Sequence, residues 1–278
     1  MDFSIVTPSF NMLPYLELCA ASIGDQEGAT FEHIVVDGAS SDGTVKWLEQ
    51  HPGIKSISEK DNGMYDAVNK GLRMANGQFL AYLNCDEQYL PGTLAFVKDY
   101  FQKHPNVDVI FGDMVLTRPD GSLIAFRKAY QPRWFYILAA HLYVPTCTMF
   151  FRRKIIEENF YFDLSFKANA DADFVVRLLR RPFRLKYVRE YLSAFTMTGK
   201  NLSSDTVAHD ESARMLEEAP FLVRKTRPVL NVLRLTEKYL SGSYFQKKPL
   251  DYAVYTRGNG IKRNRFSEPH PSYKWKWE

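Results

Sequence analysis

Short apolar runs that end in polar loops recur along the first third of the chain. Residues 3–7, 33–36, 54–58 and 79–83 have the length and composition of strands, and a loop rich in polar residues or glycine follows each of them. Helical patterns separate these runs, so the alternation predicts an α/β protein with a mostly parallel sheet. Ligands bind outside the carboxyl ends of the strands in such sheets. We therefore expect the polar loops to converge on one crevice.

Other patterns predict individual elements. Apolar residues between Met64 and Ala75 recur at helical spacing, and Gly77 follows where a glycine that ends a helix belongs. Beyond residue 111 the alternation stops, and we expect a hairpin, two helices and one more buried strand, at 115–126, 134–140, 171–179 and 147–151. We expect Asn169 to cap the last helix, which would leave an acid at its start free for chemistry.

An acidic cluster follows the apolar run at 79–83. Asn84, Asp86 and Glu87 come directly after this strand, where buried carboxylates are costly unless a cation or a set of hydrogen-bond donors compensates them. Oxygen ligands of this kind favour Mg²⁺ or Mn²⁺ over zinc. The alternative is a turn in which Asn84 and Asp86 bond their own backbone, and the segment alone leaves both interpretations open.

Composition limits the class of protein. The chain has 278 residues, of which 45% are hydrophobic, and this suits one catalytic domain, which we place at residues 1–220, with an extension at 221–278. The first strand begins almost at Met1, and no apolar run approaches the length of a membrane span, so we expect a cytoplasmic protein. Three scattered cysteines predict neither a disulfide framework nor a thiolate metal site.

The extension is basic although the rest of the chain is acidic. Residues 221–278 hold 13 Lys and Arg against 4 Asp and Glu, a balance of +9, so residues 1–220 carry 23 minus 28, or −5. Such an extension suits an anionic surface, and we expect the inner face of the cell membrane. Nucleic acid would attract the same charges, but no recognition motif accompanies them, so no nucleic-acid partner is expected.

An amphipathic segment and terminal indoles support the membrane interpretation. Val229, Val232, Leu233 and Leu240 fall on one helical stripe, which is typical of a helix that lies on a membrane surface. Indoles within 275–277 favour the same boundary. The alternative is a helix that packs on the catalytic domain and leaves its basic face in solvent.

Four segments taken together resemble the family 2 glycosyltransferases. They are Ser4–Asn11, Val35–Thr44, Ser58–Gly71 and Leu83–Glu87, and they occur in the family's order. The resemblance implies the GT-A fold, a mixed and mostly parallel sheet, and inverting transfer of a sugar from a nucleotide-diphosphate sugar, with a UDP-sugar as the first expectation. Relatives of this type build bacterial polysaccharides, so the acceptor would be a glycan or a glycan carried on a polyprenyl diphosphate.

The resemblance also assigns residues to the nucleotide. Thr7, Pro8 and Phe10 would line the base and ribose pocket. Asp37 would accept a hydrogen bond from the base, which agrees with the chemistry of uracil, because its N3–H needs an acceptor. The residues that would close the site are Asp61, Asn69 and Lys70, although a solvated helix lysine is an equal interpretation of the last.

Metal and catalytic residues follow in the same way. Asn84-Cys85-Asp86-Glu87 takes the place of the family's Asp-x-Asp motif, so the resemblance makes Asp86 the main ligand of Mn²⁺ or Mg²⁺, with Asn84 and Glu87 beside it. Asp171 takes the position of the general base. On the acceptor side we expect Asp173, paired with Arg177 four residues on, and His141, for which a packed, hydrogen-bonded role is the alternative.

Departures from the family pattern keep two other functions open. Asn84 and Ala170 replace acids, which is compatible with a nucleotide-sugar-binding scaffold that has no turnover. A sugar-phosphate nucleotidyltransferase is the other alternative, although the loop after the first strand has none of the glycine or lysine that its phosphate site needs. The family has a Gly-Gly-x-Ser turn over the donor, and residues 198–203, which take its place in this chain, do not match that motif.

Overall fold

Strands of a curled sheet bring the polar loops to one edge. The computed structural model describes residues 1–199, 206–258 and 262–273. The strands are β1 (Phe3–Ser9), β2 (Phe31–Asp37), β3 (Lys55–Ser58), β4 (Phe79–Tyr82), β5 (Glu87–Tyr89), β6 (Val109–Thr117), β7 (Leu123–Arg127), β8 (Phe150–Arg152), β9 (Leu185–Thr196), β10 (Leu250–Val254) and β11 (Asn264–Glu268). The helices are α1 (Leu13–Gly24), α2 (Thr44–Glu49), α3 (Met64–Met74), α4 (Thr93–Lys103), α5 (Trp134–Ala139), α6 (Lys154–Glu157), α7 (Ala170–Leu179), α8 (Thr206–Glu217), α9 (Phe221–Lys225) and α10 (Arg227–Leu240).

The sheet order is β3-β2-β1-β4-β8-β6-β9-β5, with β7 added to β6. In this order the first four strands, β3, β2, β1 and β4, run parallel to one another, as do β6 and β9. Strand β8 runs antiparallel to both of its neighbours, β4 and β6. This confirms the predicted mixed α/β sheet. Because β1, β2 and β4 are adjacent and parallel, their carboxyl ends meet at one edge, and this edge holds the predicted polar loops.

Helix α3 packs its apolar face on β1. Val68 and Leu72 are fully buried, and Gly71 lies so close to the strand that an added Cβ would stand 2.3 Å from a methyl carbon of Val6. The prediction that Gly77 ends this helix is wrong. The helix ends at Met74, and the cap residue is Ala75. Gly77 is needed for a different reason, since a Cβ there would lie 2.4 Å from the backbone of β1.

Elements beyond residue 111 follow the predicted order with shifted boundaries. The expected hairpin forms between β6 and β7, but β6 is a single long strand from Val109 to Thr117. Helices α5 and α7 lie where they were expected. The predicted strand at 147–151 is shorter than expected, because a 3-10 turn occupies Thr146–Thr148 before β8 begins.

Much of the basic extension is packed on the body of the protein. Its hairpin, β10 and β11, covers an apolar cluster that includes Val115 and Phe126. Arg263 forms an ion pair with Asp25 at 2.5 Å and donates to backbone carbonyls, so this cation is used inside the fold. The boundary after residue 220 stays a prediction. The donor-loop residues Lys200, Asn201, Leu202 and Ser203, and the indoles of Trp275 and Trp277, lie outside the described residues.

Candidate functional site

The loops after β1 and β2 are tied to each other. Ser40 Oγ accepts from the Asn11 N–H at 2.8 Å, and Asn11 Oδ1 accepts from the Ser41 N–H at 2.8 Å. Asn11 and Ala39 have φ angles of 50° and 63°, in the left-handed region, which asparagine tolerates but alanine rarely adopts. Strained backbone of this kind persists only where the surroundings enforce it, and it clusters at functional sites. The two loops therefore form one fixed wall of the crevice.

Asp37 ends β2 and is fully buried. Its Oδ2 accepts from the Ser40 N–H at 2.9 Å and from the Ser58 hydroxyl at 2.6 Å, and its Oδ1 accepts from the Ser40 hydroxyl at 2.5 Å. These donors compensate the buried charge and fix the orientation of the carboxylate. A carboxylate offers about four lone-pair positions, so Oδ1 can accept one more hydrogen bond, but a base N–H would reach this buried atom only after a local movement of the loops around it.

Phe10, Gly38 and Asp61 form a narrow gap beside Asp37. A Cβ built on Gly38 would lie 2.8 Å from Asp61 Oδ2 and 3.3 Å from the Phe10 ring, so a larger residue there would displace the Asp61 side chain. The Phe10 ring is 62% exposed and presents a flat apolar face, whereas Pro8 is buried within β1. An exposed flat ring and a carboxylate beside the same glycine suit a planar base and the hydroxyls of a ribose.

The side chains of Thr7, Asn69 and Lys70 are used within the protein. The Thr7 hydroxyl hydrogen-bonds to His33 Nε2 at 2.8 Å. The Asn69 amide binds the backbone of Phe162 at 2.9 and 3.0 Å, and Lys70 Nζ forms an ion pair with Glu59 at 2.7 Å. Thr7 could therefore reach a nucleotide only through its backbone, and Lys70 only by exchanging partners. Their nucleotide-binding roles stay predictions.

The acidic cluster at the end of β4 is incompletely satisfied. Glu87 is buried, and its Oε2 accepts from the Asn84 N–H at 2.7 Å. Burial raises the pKa of the Glu87 carboxyl well above its usual value, and the negative charges of Asp86 and Asp171 add to this rise. The buried Asn84 Oδ1 has no hydrogen-bond partner among the described residues. The turn interpretation therefore does not account for the Asn84 side chain.

A divalent cation fits these residues in its chemistry. Within the described ranges, no three His, Cys, Asp or Glu side chains are close enough to hold a metal ion by themselves. The cluster instead offers an orphaned amide oxygen and the buried carboxyl of Glu87, whose pKa is raised by burial and by the charges of Asp86 and Asp171. Hard cations take oxygen ligands and often complete their shell with substrate phosphates. Asp86, Asn84 and Glu87 can supply the protein's share of such a shell.

Asp171 lies in the first turn of α7, near Tyr65 and Tyr82, and is half-buried. Burial raises the pKa of its carboxyl to about 6, and hydrogen bonds from the Ala172 N–H, at 2.8 Å, and from the Tyr65 hydroxyl oppose this rise. The charge of Asp171 in turn raises the pKa of both tyrosines and of Glu87. The structure therefore brings Asp171 into electrostatic reach of the acidic cluster.

Two acceptor-side candidates lie apart from this arrangement. The predicted pair of Asp173 and Arg177 is confirmed, with Oδ2 and Nε 2.6 Å apart. His141 is exposed beyond the end of α5. Desolvation by the surrounding chain, together with the positive charges of Arg234 and Lys238, lowers the pKa of its imidazole to about 4. The catalytic roles of Asp173 and His141 stay predictions.

A comparison with known families decides the class of protein. The sequence model of the family "Glycosyl transferase family 2" matches residues 4–160, more than half of the chain. The chain belongs to glycosyltransferase family 2. This family 2 enzyme is 27% identical over 225 residues to a PGL/p-HBAD biosynthesis glycosyltransferase of Mycobacterium bovis, which covers 77% of this chain and 83% of the relative. It is 30% identical over 205 residues to an uncharacterized glycosyltransferase of Mycobacterium tuberculosis, covering 70% and 75%.

Solved structures confirm the fold of this glycosyltransferase. The chain aligns with S. aureus TarS 1–349 in complex with UDP-GlcNAc at a TM-score of 0.60 and 16% identity, covering 96% of this chain and 99% of TarS 1–349. It spans 60% of a longer TarS chain, at a TM-score of 0.59. The similarity in fold extends over almost the whole chain, and the expected GT-A fold is confirmed.

Sequence reasoning missed a residue that positions the predicted base of this glycosyltransferase. Glu211 on α8 accepts from three consecutive N–H groups just before α7, those of Lys167, Ala168 and Asn169, at 2.5, 2.9 and 2.8 Å. The prediction that the Asn169 side chain caps α7 is wrong, because its amide donates to the Ala208 carbonyl instead. Glu211 lies about 40 residues away in sequence, so no local pattern could reveal this role.

Proposed function

We propose that this glycosyltransferase moves a sugar from a UDP-sugar to a hydroxyl of a glycan or lipid-linked glycan, with inversion at the transferred carbon. One observation carries the proposal. Asp171, with a pKa of about 6, lies within electrostatic reach of Glu87, the neighbour of Asp86 beyond the carboxyl end of β4. A carboxylate with this pKa is ionised at neutral pH and is a stronger base than an ordinary aspartate.

The nucleotide half of the proposal rests on the first two strands. Asp37 is held in one orientation by Ser40 and Ser58, and we propose that Oδ1 accepts the base N–H once a local movement of the surrounding loops exposes it. The gap between Phe10 and Asp61 lies beside it. TarS, which shares the fold, has been solved with UDP-GlcNAc and with UDP, and this supports uridine as the nucleoside. The donor sugar itself is left to experiment.

For the cofactor we propose Mn²⁺ or Mg²⁺, held by Asp86 with Asn84 and Glu87. When bound, the cation supplies positive charge that stabilises the departing diphosphate. The amide of Asn84 is neutral, so we expect weaker metal affinity than for a motif with two aspartates.

Asp171 is proposed to act on the face of the sugar opposite the nucleotide. It accepts the proton of the acceptor hydroxyl while that oxygen forms its bond to C1 and the bond from C1 to the diphosphate oxygen breaks. The nucleoside diphosphate leaves with the electron pair of the broken bond. Glu211 contributes by fixing the loop that leads into α7. Asp173 pairs with Arg177 and supports the helix.

The acceptor and the place of action complete the proposal. A glycan carried on a polyprenyl diphosphate would be presented at the inner face of the cell membrane, and we propose that the enzyme meets its acceptor there. Membership of glycosyltransferase family 2 favours transfer over both alternatives considered from the sequence, the nucleotidyltransferase and the scaffold without turnover.

Donor hydrolysis tests the proposal without knowledge of the acceptor. Release of UDP from a panel of UDP-sugars is measured with Mn²⁺, with Mg²⁺ and with EDTA, for the wild type, Asp86→Ala and Asp99→Ala. Asp99 is a matched control, an exposed acid on α4 that pairs with Lys103. We expect metal-dependent release that only Asp86→Ala abolishes. UDP binding without any release, with or without sugar acceptors, would favour the scaffold instead.

A further inference from the structure

Helix α10 exposes its apolar face. Val229, Val232, Leu233, Tyr239 and Leu240 are between 49% and 77% exposed. At 100° per residue these positions form one stripe along the helix. A helix on the surface of a globular protein normally turns such a stripe toward the core. The stripe of α10 faces away from it, and none of the helix's residues is buried.

The face that α10 turns toward the protein is polar. Arg227 donates to the Ala139 carbonyl at 2.8 Å, and Glu237 pairs with Arg133 at 2.9 Å. Lys238 lies over the Tyr244 ring at 4.7 Å. Leu230 adds an apolar contact with the core. The helix is therefore anchored mainly by hydrogen bonds and ion pairs, which leaves its apolar side free for another partner.

Apolar side chains extend this stripe at both ends. We call the whole surface the apolar ridge, and it consists of Phe221, Leu222, Val229, Val232, Leu233, Tyr239, Leu240 and Phe245. Nine of the fifteen large apolar side chains that are exposed in the described part of the chain lie between Phe221 and Phe245. Single exposed apolar residues need no explanation, but a concentration of this kind marks an interaction surface.

Positive charges flank the apolar ridge. Arg224 and Lys225 are exposed at its start, and Lys247 and Lys248 are exposed beyond its end. Glu237 is the only acid between residues 221 and 248, and its charge is matched by Arg133. The surface is thus apolar along its length and positively charged at both ends. A second copy of the chain would bring two positive surfaces together, whereas an anionic lipid surface complements both features.

We propose that the apolar ridge inserts into the headgroup region of an anionic bilayer, with α10 parallel to the membrane plane. Its 14 residues span about 21 Å at 1.5 Å per residue, which is shorter than the roughly 30 Å hydrocarbon core. In the described ranges, no helix combines the length and apolarity that a membrane crossing requires. Contact along the surface is the arrangement that covers the apolar ridge and neutralises the flanking cations.

This orientation has a consequence for the enzyme. Helix α10 packs on α5, and α5 packs on α7, which carries Asp171. With the apolar ridge in the lipid surface, α5 would lie between α10 and α7, the helix that carries the proposed base. The membrane contact itself rests on the exposed ridge and its charges, and it stands independently of the role proposed for Asp171.

Vesicle co-sedimentation of the full chain tests this proposal. The vesicles consist of phosphatidylcholine alone or of equal parts phosphatidylcholine and phosphatidylglycerol. We expect binding to the anionic vesicles, and we expect the double variant Val232→Asp with Leu240→Asp to lose at least about tenfold in affinity, because charged side chains replace inserted apolar ones. Val45→Asp is the matched control, since Val45 is also exposed but lies on α2, and it should bind like the wild type.

Further measurements separate membrane contact from misfolding and self-association. UDP release in the absence of vesicles reports that each variant is folded. Lys247→Glu with Lys248→Glu should weaken binding to anionic vesicles. Unchanged vesicle binding by the double aspartate variant would overturn the proposal. A second result would also overturn it. In this result the wild type binds neither kind of vesicle, and sedimentation velocity shows that it forms a dimer that Val232→Asp breaks.

Discussion

The crevice at the end of β4 and the apolar ridge depart from the usual distribution of side chains in opposite directions. The crevice withdraws acids from water, with Glu87 buried and Asp171 half-buried. It also buries an amide oxygen of Asn84 that has no partner among the described residues. The ridge does the reverse and leaves large apolar side chains in water. Each arrangement costs free energy in the isolated chain.

The difference between the two regions teaches what each one needs. Burial and the charges of Asp86 and Asp171 raise the pKa of Glu87, and a bound cation or a substrate that supplies hydrogen-bond donors would stabilise its ionised form. Exposed apolar side chains are relieved only by an apolar environment. Natural proteins break the rules of local consistency mainly at functional sites. We therefore interpret the crevice as the place of the proposed sugar transfer and the apolar ridge as the surface that attaches the enzyme to the membrane.

The sharpest test within the crevice is Asp171→Asn. An amide cannot take the proton of the acceptor hydroxyl, so we expect the rate of transfer to fall about 10²- to 10⁴-fold, while UDP binding measured by calorimetry stays within a few-fold. Asp173→Asn is the matched control on the same helix. It breaks the pair with Arg177 but should leave most of the transfer rate. Equal losses in the two variants would remove Asp171 from the proposed role.

Truncation of one leucine in each of two amphipathic helices contrasts the ridge with the core. Leu72 on α3 is fully buried, whereas Leu240 on α10 is 77% exposed. We expect Leu72→Ala to lower the free energy of unfolding by about 2–5 kcal/mol, and Leu240→Ala to change it by no more than about 0.5 kcal/mol. Urea unfolding measures both. A large loss for Leu240→Ala would mean that the ridge is already covered in the isolated protein.

The same two helices mark how far the sequence could predict this structure. Both α3 and α10 carry apolar residues at helical spacing, and both were predicted as amphipathic helices. The pattern does not state which face meets the core. In α3 a glycine allows close approach to β1, whereas in α10 Arg227 and Glu237 find partners on α5 and just before it. These long-range contacts decided the orientation, and they have no local signal in the sequence.

The candidate site was predictable for a related reason, and only in part. Strand ends and acidic motifs are local, so the sequence could single out Asp37, Asp86 and Asp171 as candidates, and their roles stay predictions. Their surroundings are not local. Asp171 receives its hydrogen bond from Tyr65 on α3, and the loop before it is held by Glu211 on α8. The pKa of a catalytic group depends on such neighbours, and the sequence alone could not give it.

Asn84→Asp tests whether the crevice is built for a cation. A third carboxylate beside Asp86 and Glu87 should lower the melting temperature in EDTA, because the added charge is repelled by those already present. With Mn²⁺ the variant should have a higher melting temperature than the wild type. A charged ligand should bind the ion about tenfold more tightly, and the bound ion stabilises the folded state. Thermal unfolding with a Mn²⁺ titration measures both effects. A Mn²⁺-induced shift equal to that of the wild type would argue against ligation by residue 84.

The smallest expected effect concerns the acid side of the pH profile. Asp171 must be ionised to accept a proton, and its pKa is raised to about 6, so the transfer rate should fall about tenfold per pH unit below that value. The Tyr65 hydroxyl, which also lies 3.2 Å from the Ala168 carbonyl, hydrogen-bonds to the ionised carboxylate and lowers its pKa. Tyr65→Phe should therefore move this limb to higher pH, with a few-fold loss near pH 6 and none at pH 8. Tyr82→Phe is the control, because Tyr82 is uncharged in this range and its hydroxyl hydrogen-bonds to Thr146 rather than to Asp171. An identical shift in both variants, or no shift in either, would mean that the limb reports a group other than Asp171.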